Sequence, residues 1–227
     1  MTASARIDSP SPSSLRLVLT LAVAGLISGI AIIGIYEGTL PTITANKARE
    51  LREAVFKVLP GVNQMQPLVF RDGMLVATAE PAADESVVYG GYDDGGVFVG
   101  YAIPGAGPGF QDTIGLLYGY DPAGRQVLGM EVLESRETPG LGDKIYKDLD
   151  FVGNFRGLSV DPTIVTVKKG TRTRPNEVDA ITGATISSKA VVRIINETHT
   201  AWSDKLAASG EEPPLAESNS AASGEQQ

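Results

Sequence analysis

The amino-acid sequence predicts an α+β protein in which one N-terminal transmembrane helix precedes a single mixed domain. The first observation is an uncharged apolar run over residues 17–36, which as a helix matches the roughly 30 Å hydrocarbon core of a bilayer. The second is a mixture of patterns further on, because helical apolar spacing occurs at both ends of the remaining chain and strand-like runs lie between. No strand–helix repeat is present, so a parallel α/β array is not expected.

Composition excludes several classes of function. The 227 residues include no cysteine and one histidine, His199, and the formal net charge is -8. A chain without cysteine has no disulfides, thiolate zinc sites, iron–sulfur ligands or cysteine nucleophile. The acidic balance argues against nucleic-acid binding, which needs a basic face. We therefore expect no metal site and no nucleic-acid partner, and redox chemistry would require a bound cofactor.

The apolar run is read as an uncleaved membrane anchor. A secretory signal is the competing interpretation, but its apolar core is about 7–15 residues long and precedes a small-residue cleavage site. Here the run continues from Leu17 to Tyr36. Positive charges lie on both sides, so charge alone does not set the orientation. Gly25 and Gly29 lie one turn apart, with Ser28 beside them, which allows close approach of another helix; ordinary glycine usage is the alternative.

Four regions follow from this reading. Residues 1–14 form a short N-terminal tail, and 15–36 form the transmembrane helix. Residues 37–205 form one domain of conventional size. Residues 206–227 lack aromatic residues and periodicity, so they are expected to be a disordered acidic tail.

The domain is predicted to begin with a helix. Apolar residues recur at helical spacing after Pro41, with Thr42 or Thr44 as the N-cap, until Pro60 and Gly61 end the pattern. Strands are predicted at residues 87–89, 97–102, 113–120, 126–133 and 164–168.

Further along, a turn and a second helix are indicated. Asp121-Pro122-Ala123-Gly124 joins two strands in a hairpin. The second helix is expected to begin at Ser187 or Ser188 and to end near Trp202. We interpret His199 as a surface or packing residue, residues 105–110 as a flexible connection, and residues 168–174 as a solvated basic loop, with contact to a membrane surface or an acidic partner as the alternative.

Two segments are unusual for a simple scaffold. The first is Glu137-Thr138-Pro139-Gly140-Leu141-Gly142, in which glycines permit positive φ or a close backbone approach; a tight exit from a strand is the plain alternative. The second is Asp179-Ala180-Ile181-Thr182-Gly183-Ala184-Thr185-Ile186-Ser187-Ser188. It sets the Thr185 hydroxyl at a helix start, where free N–H groups and the helix dipole attract phosphate. Ordinary N-capping by serine and threonine is the alternative.

Together, and in this order after an anchor and a helix, the two motifs resemble the FMN-binding domain in the G subunit of the Rnf electron-transport complex. The C subunit of the sodium-translocating NADH:quinone reductase is similar. The resemblance covers residues 17 to about 205. In this family FMN is esterified through its phosphate to the threonine of T-G-A-T, so the resemblance implies a covalent phosphoester to Thr185, which would make the chain a phosphoprotein.

The resemblance also implies the remaining site residues. No catalytic residue or metal ligand is expected. The phosphate pocket would be formed by Thr182, Gly183, Ala184, Ser187 and Ser188. The flavin ring or ribityl chain would be approached by Glu137, Thr138, Gly140 and Leu141. For residues 105–110, interpreted above as a flexible connection, the alternative is that they form part of the flavin surround.

The implied function is that of a flavin-carrying subunit of an ion-translocating oxidoreductase, a translocase that couples electron transfer between ferredoxin and NAD to ion movement. No independent turnover is expected. The implied partners are other membrane and peripheral subunits and a flavin transferase that attaches FMN. Residues 1–14 would be cytoplasmic and the domain periplasmic, at the inner membrane. The alternatives are the corresponding protein of the quinone reductase, an FMN domain of another membrane reductase, and an anchored non-redox binding domain in which T-G-A-T is only a helix cap.

Overall fold

The structure is a computed structural model that describes residues 13–82 and 84–216. The predicted tail over residues 1–14 therefore lies almost wholly outside the described residues, as does the end of the predicted acidic tail. The chain divides into two units, Met1–Arg49 and Glu50–Gln227.

The first element is α1 (Ser14–Val58), a helix of 45 residues. It is long and apolar enough to cross a membrane, and its large apolar side chains from Leu15 to Ile43 are exposed. The predicted helix start after Pro41 is wrong, because the helix continues through that residue. The Thr44 hydroxyl donates to the Leu40 carbonyl within the helix and does not cap a new one.

A seven-stranded antiparallel sheet forms the centre of the second unit, in the order β2-β1-β3-β4-β5-β6-β7. Its strands are β1 (Gln64–Arg71), β2 (Met74–Ala77), β3 (Val87–Tyr92), β4 (Phe98–Pro108), β5 (Thr113–Asp121), β6 (Gln126–Glu134) and β7 (Leu158–Ser159). A separate parallel pair joins β8 (Val165–Val167) to β9 (Glu177–Asp179). The helices are α2 (Lys144–Lys147), α3 (Leu149–Gly153) and α4 (Thr185–Trp202). This is the predicted α+β class, and the five predicted strands are confirmed.

Antiparallel pairing confirms the predicted hairpin, with Asp121 opposite Gln126 at its end. Residues 105–108, predicted as a flexible connection, belong to β4 instead. A Cβ at Gly105 would lie 2.6 Å from Thr198 Oγ1, and one at Gly107 would lie 2.9 Å from Ile194 Cγ1. These glycines therefore allow α4 to lie directly on the strand.

Apolar residues fill both faces of the sheet. On one face, strands and α4 bury a large cluster that includes Tyr101, Ile103 and Tyr118. On the other, Val58 and Leu59 at the end of α1 pack with neighbouring residues of the sheet. The result is a three-layer arrangement in which alternate residues of β5 face opposite layers.

Helix α4 begins at Thr185, earlier than predicted, and its N-cap residue Ala184 makes no side-chain cap bond. The Ser188 hydroxyl instead donates to the Ala184 carbonyl and accepts from the Ile181 N–H. At the other end of the helix, the His199 ring lies 4.7 Å from that of Tyr120, which confirms its packing role.

The C-terminal segment departs from the prediction of disorder from residue 206. The Tyr92 hydroxyl donates to the Pro213 carbonyl at 2.6 Å. The buried Gln66 amide donates to the Pro214 carbonyl at 2.9 Å and accepts from the Ala216 N–H at 2.8 Å. The domain therefore extends beyond 205 to at least 216, because polar side chains of β1 and β3 have their partners in the last residues described.

We expect truncation after Gly210 to lower the unfolding free energy by about 1–2 kcal/mol, because the Gln66 amide loses partners that the rest of the domain does not replace. Truncation after Ala216 retains those partners and serves as the control. Thermal melting of both truncated chains measures the difference, and equal melting temperatures would contradict the assigned role of the segment.

Candidate functional site

The two motifs meet at one cleft. A cavity of about 340 Å³ lies between the loop before α2 and the first turn of α4. This volume is at the lower end of the range for small-molecule sites. Its lining residues are Phe110, Thr138, Leu141, Gly142, Gly183, Ala184, Thr185, Ile186 and Ser187. The fold therefore brings together sequence segments that are far apart in the chain.

Thr185 presents an exposed side chain to this cleft from the first residue of α4. Gly183, at φ +83°, turns the chain into the helix, a conformation that side chains other than glycine's rarely adopt. Within the described part of the chain, the N–H groups of Thr185, Ile186 and Ser187 have no hydrogen-bond partner, and the first helical bond is from Ser188 to Ala184. An exposed hydroxyl thus lies beside three free donors at the positive end of a helix dipole.

Glu137 lies behind the cleft wall and is only 5% exposed. Its Oε1 accepts hydrogen bonds from the N–H groups of Phe110 at 2.8 Å and Gln111 at 2.9 Å. Its Oε2 accepts from the Ser187 hydroxyl at 2.5 Å. One carboxylate therefore joins three chain segments: its own loop, the turn after β4 and the start of α4.

The same contacts set the charge of Glu137. Burial acts to raise the pKa of the carboxyl group, whereas the hydrogen bonds from Ser187, Gln111 and Phe110 act to lower it. The lowering contacts prevail, so the pKa of Glu137 lies below its ordinary value. A buried negative charge is consequently present at neutral pH.

The loop of the first motif is held by its own backbone. The Thr138 carbonyl accepts from the N–H groups of Leu141 at 3.2 Å and Asp143 at 3.4 Å, and Gly140 makes the turn at φ +78°. The Thr138 hydroxyl donates to the Gln111 side chain at 2.8 Å. The loop of the first motif and the turn that contains Gln111 are therefore both held at the edge of the cleft.

The structure separates the predicted site residues into two groups. Six line the cleft: Thr138, Leu141, Gly183, Ala184, Thr185 and Ser187. Thr182 is exposed beside it, whereas Glu137, Gly140 and Ser188 lie outside its lining. Ser188 is fully buried and closes the preceding turn. The Ser187 hydroxyl is already bonded to Glu137, so neither serine offers a free hydroxyl donor to a ligand.

Apolar side chains at the cleft were partly missed from the sequence. Phe110, Leu141 and Ile186 are 63%, 50% and 58% exposed, yet all three border the same cavity. Of these, Leu141 is a predicted site residue, and Phe110 belongs to residues 105–110, for which a part of the flavin surround is the alternative interpretation. Phe110 follows a glycine-rich stretch and Ile186 lies inside the second motif, which are the only local signals they carry. The cleft thus combines an anion-attracting helix start with apolar surface, which suits a phosphate joined to a flat apolar ring.

The basic segment over residues 168–174 is an exposed loop near the second motif. The N–H groups of Gly170 and Arg172 donate to the Asp179 carboxylate at 3.0 and 3.3 Å. Asp179 opens the second motif, so its side chain fixes the basic loop and does not line the cleft. No group of acidic and histidine side chains in residues 13–82 and 84–216 is arranged to hold a metal ion.

Comparison with known proteins shows which family this chain resembles. The family model described as an FMN-binding domain matches residues 109–199, a range that includes every residue lining the cleft. The G subunit of an ion-translocating oxidoreductase complex from Methanosarcina acetivorans is 32% identical over 180 residues, covering 78% of this chain and 88% of that protein. The G subunit of the Na(+)-translocating ferredoxin:NAD(+) oxidoreductase complex from Acetobacterium woodii is 31% identical, covering 80% and 87%.

Solved structures share the fold. NqrC of Shewanella oneidensis aligns with a TM-score of 0.53 at 20% identity, over 67% of this chain and 91% of that chain. The C subunit of the Na(+)-translocating NADH-quinone reductase from Parabacteroides distasonis aligns with a TM-score of 0.57 at 20% identity, over 71% and 94%. The similarity places the mixed domain of this chain in the same fold.

We expect the unfolding free energy to fall as the pH drops from about 5 to about 3. Because the pKa of Glu137 is lower in the folded protein than in the unfolded chain, its ionised carboxylate stabilises the fold at pH values above the unfolded-state pKa. That stabilisation is lost as the pH falls through the folded-state pKa of Glu137. The Glu137→Gln variant should show a shallower decline. It should retain some decline, because a hydrogen bond from Lys147 also lowers the pKa of Asp143. Urea unfolding at several pH values measures both slopes, and identical slopes would contradict the assignment.

Proposed function

This chain belongs to the G-subunit family of ion-translocating oxidoreductase complexes, and we propose that it carries an FMN attached covalently to Thr185. Two of its relatives are named as parts of complexes that act on ferredoxin and NAD(+). By that relationship, this chain is a subunit that relays electrons between ferredoxin and NAD while the complex moves ions across the membrane. It has no turnover of its own.

The observation that supports this proposal most directly is the exposed Thr185 hydroxyl beside the free N–H groups of the first turn of α4. A phosphodiester at this oxygen keeps one negative charge, which the positive end of the helix favours. Among the residues that the structure describes, no cationic side chain lines the cleft, so the helix start is the source of that attraction. FMN, when bound, supplies electron transfer in steps of one or two electrons.

Each part of the cleft then has a task. Thr185 holds the phosphate, and the N–H groups of Ile186 and Ser187 are available to its oxygens. The apolar side chains of Phe110, Leu141 and Ile186 offer a surface to the ring and exclude water from one side of it. No residue of the chain needs to act as an acid or base for electron relay.

A flavin transferase is proposed as a partner because the described lining of the cleft offers no base for the attachment reaction. None of its nine residues has an ionisable side chain. The carboxylate of Glu137, which contacts the lining residue Ser187, is already bonded to Ser187, Phe110 and Gln111. Deprotonation of the Thr185 hydroxyl therefore has to be provided by another protein.

The apolar part of α1 is proposed as the membrane anchor, with the flavin domain on the periplasmic side of the inner membrane. Its length and composition suit a span. A covalent bond suits this location, because an exported flavin held only by non-covalent contacts would be lost to the surroundings. The other membrane and peripheral subunits of the complex are the remaining partners.

A second candidate is the corresponding subunit of an NADH-quinone reductase, and the fold similarity to two such proteins favours it. The same cleft would hold the same flavin there. The proteins that copurify with the chain distinguish the two, because complexes that use ferredoxin and quinone contain different partners.

We expect the Thr185→Val variant to lose covalent flavin completely, because valine has no oxygen for the phosphoester. Thr182→Val is the matched control, because the structure leaves Thr182 exposed beside the cleft and outside its lining. The full chain is coexpressed with a flavin transferase and run on a denaturing gel. A fluorescent band is expected for the wild type and Thr182→Val alone. The intact mass of the same two samples should be increased by that of FMN less one water.

A fluorescent Thr185→Val band would refute the attachment residue. Absence of flavin from the wild type, with the transferase shown to be active on another substrate, would refute the flavin function and leave T-G-A-T as a helix cap.

A further inference from the structure

We propose that Glu137 is a positioning residue that holds the flavin cleft in its closed shape without contacting the flavin. This inference rests on the proposed function. It differs from the expectation that Glu137 approaches the ring, because the side chain is 5% exposed and is not part of the cleft lining. The hydrogen bonds of Glu137 with Phe110, Gln111 and Ser187 are called the carboxylate clasp below.

The clasp joins two walls that are distant in the sequence. Glu137 is 27 residues from Phe110 and 50 residues from Ser187 along the chain. Phe110 provides apolar surface on one side of the cleft, and the first turn of α4 provides Thr185 and Ile186 on the other. A single buried carboxylate with three donors therefore sets the spacing between the ring-facing surface and the phosphate end.

Two glycines make room for the carboxylate, which is independent support for the clasp. A Cβ at Gly142 would lie 2.5 Å from Glu137 Oε2 and 3.0 Å from the Ser187 hydroxyl. A Cβ at Gly109 would collide with Glu137 Oε1. Gly142 has no positive φ, so an alanine there tests space alone. The carboxylate thus occupies the space that side chains at positions 109 and 142 would need.

Attachment and positioning are separable in this arrangement. The Thr185 hydroxyl is exposed and is not one of the groups that form the clasp, so its esterification does not depend on Glu137. Loss of the clasp removes the hydrogen bonds that tie the Phe110 turn to the first turn of α4, while the Arg193 hydrogen bond to the Pro108 carbonyl remains. The ring then stays attached through phosphate while the wall that faces it moves away.

Glutamine can replace the carboxylate without loss of these bonds. Its amide oxygen accepts from the N–H groups of Phe110 and Gln111, and its NH₂ group donates to the Ser187 oxygen, whose own proton turns away. Glu137→Gln therefore keeps the shape and removes the charge, whereas Glu137→Ala removes both. If Glu137 has a positioning role, Glu137→Gln should therefore retain the wild-type behaviour that Glu137→Ala loses.

The experiment uses the full chain coexpressed with a flavin transferase, as wild type, Glu137→Ala, Glu137→Gln and Gly142→Ala. Gly153→Ala is the matched control, because a Cβ at Gly153 meets nothing within 4 Å. Flavin content per chain, fluorescence anisotropy of the attached flavin and its quenching by iodide are measured on each folded sample.

We expect equal flavin content in all five proteins. In Glu137→Ala and Gly142→Ala the anisotropy should fall, and the iodide quenching constant should rise about twofold, because a freed ring is reached from both faces. Glu137→Gln and Gly153→Ala should match the wild type.

Wild-type anisotropy and quenching in a folded, flavin-bearing Glu137→Ala protein would overturn the proposal. If that variant does not fold, Gly142→Ala decides the matter by the same two readouts. Anisotropy or quenching in Glu137→Gln that differs from the wild type would also overturn it, because the proposal holds that the hydrogen bonds of residue 137, and not its charge, position the cleft walls. Absence of flavin from the wild type would count against the proposed function and not against the clasp.

Discussion

The cleft depends on one buried carboxylate. Glu137 is removed from water and ionised, and it remains so because Ser187 and two backbone N–H groups bond to it. A carboxylate buried without these donors would be costly, so the two segments that provide them are held against the loop of Glu137 wherever its side chain stays buried. The position of Thr185 relative to the apolar wall follows from that constraint.

The sheet determines where this constraint acts. Gly105 and Gly107 let α4 lie directly on β4, so the start of the helix reaches the end of that strand. The turn after β4 is where the N–H groups of Phe110 and Gln111 meet the carboxylate. The packing of one helix on one strand thereby places a phosphate-attracting helix start beside an exposed apolar residue.

Local signals in the sequence indicate a phosphate-attracting helix start, and only the resemblance to a family adds the flavin; neither predicts how the site is assembled. A helix start and a small-residue turn are both local patterns, so the motif around Thr185 stands out in the sequence, although α4 begins two or three residues before the predicted Ser187 or Ser188. The partners of Glu137 lie 27 and 50 residues away, and no local pattern records them. The contacts of Pro214 and Ala216 with Gln66 were missed for the same reason. Strand β1 was missed because it contains Pro67 and alternates weakly.

The most direct test of flavin attachment is the site of modification on the wild-type chain. Tryptic digestion of the coexpressed protein yields one peptide over residues 173–189 that contains Thr182, Thr185, Ser187 and Ser188. Fragmentation by tandem mass spectrometry then locates the added mass. We predict one FMN, less one water, on Thr185 alone. The same mass on Thr182 or on either serine would contradict the assignment, because those hydroxyls are not presented from the first residue of α4 with the free N–H groups beside them.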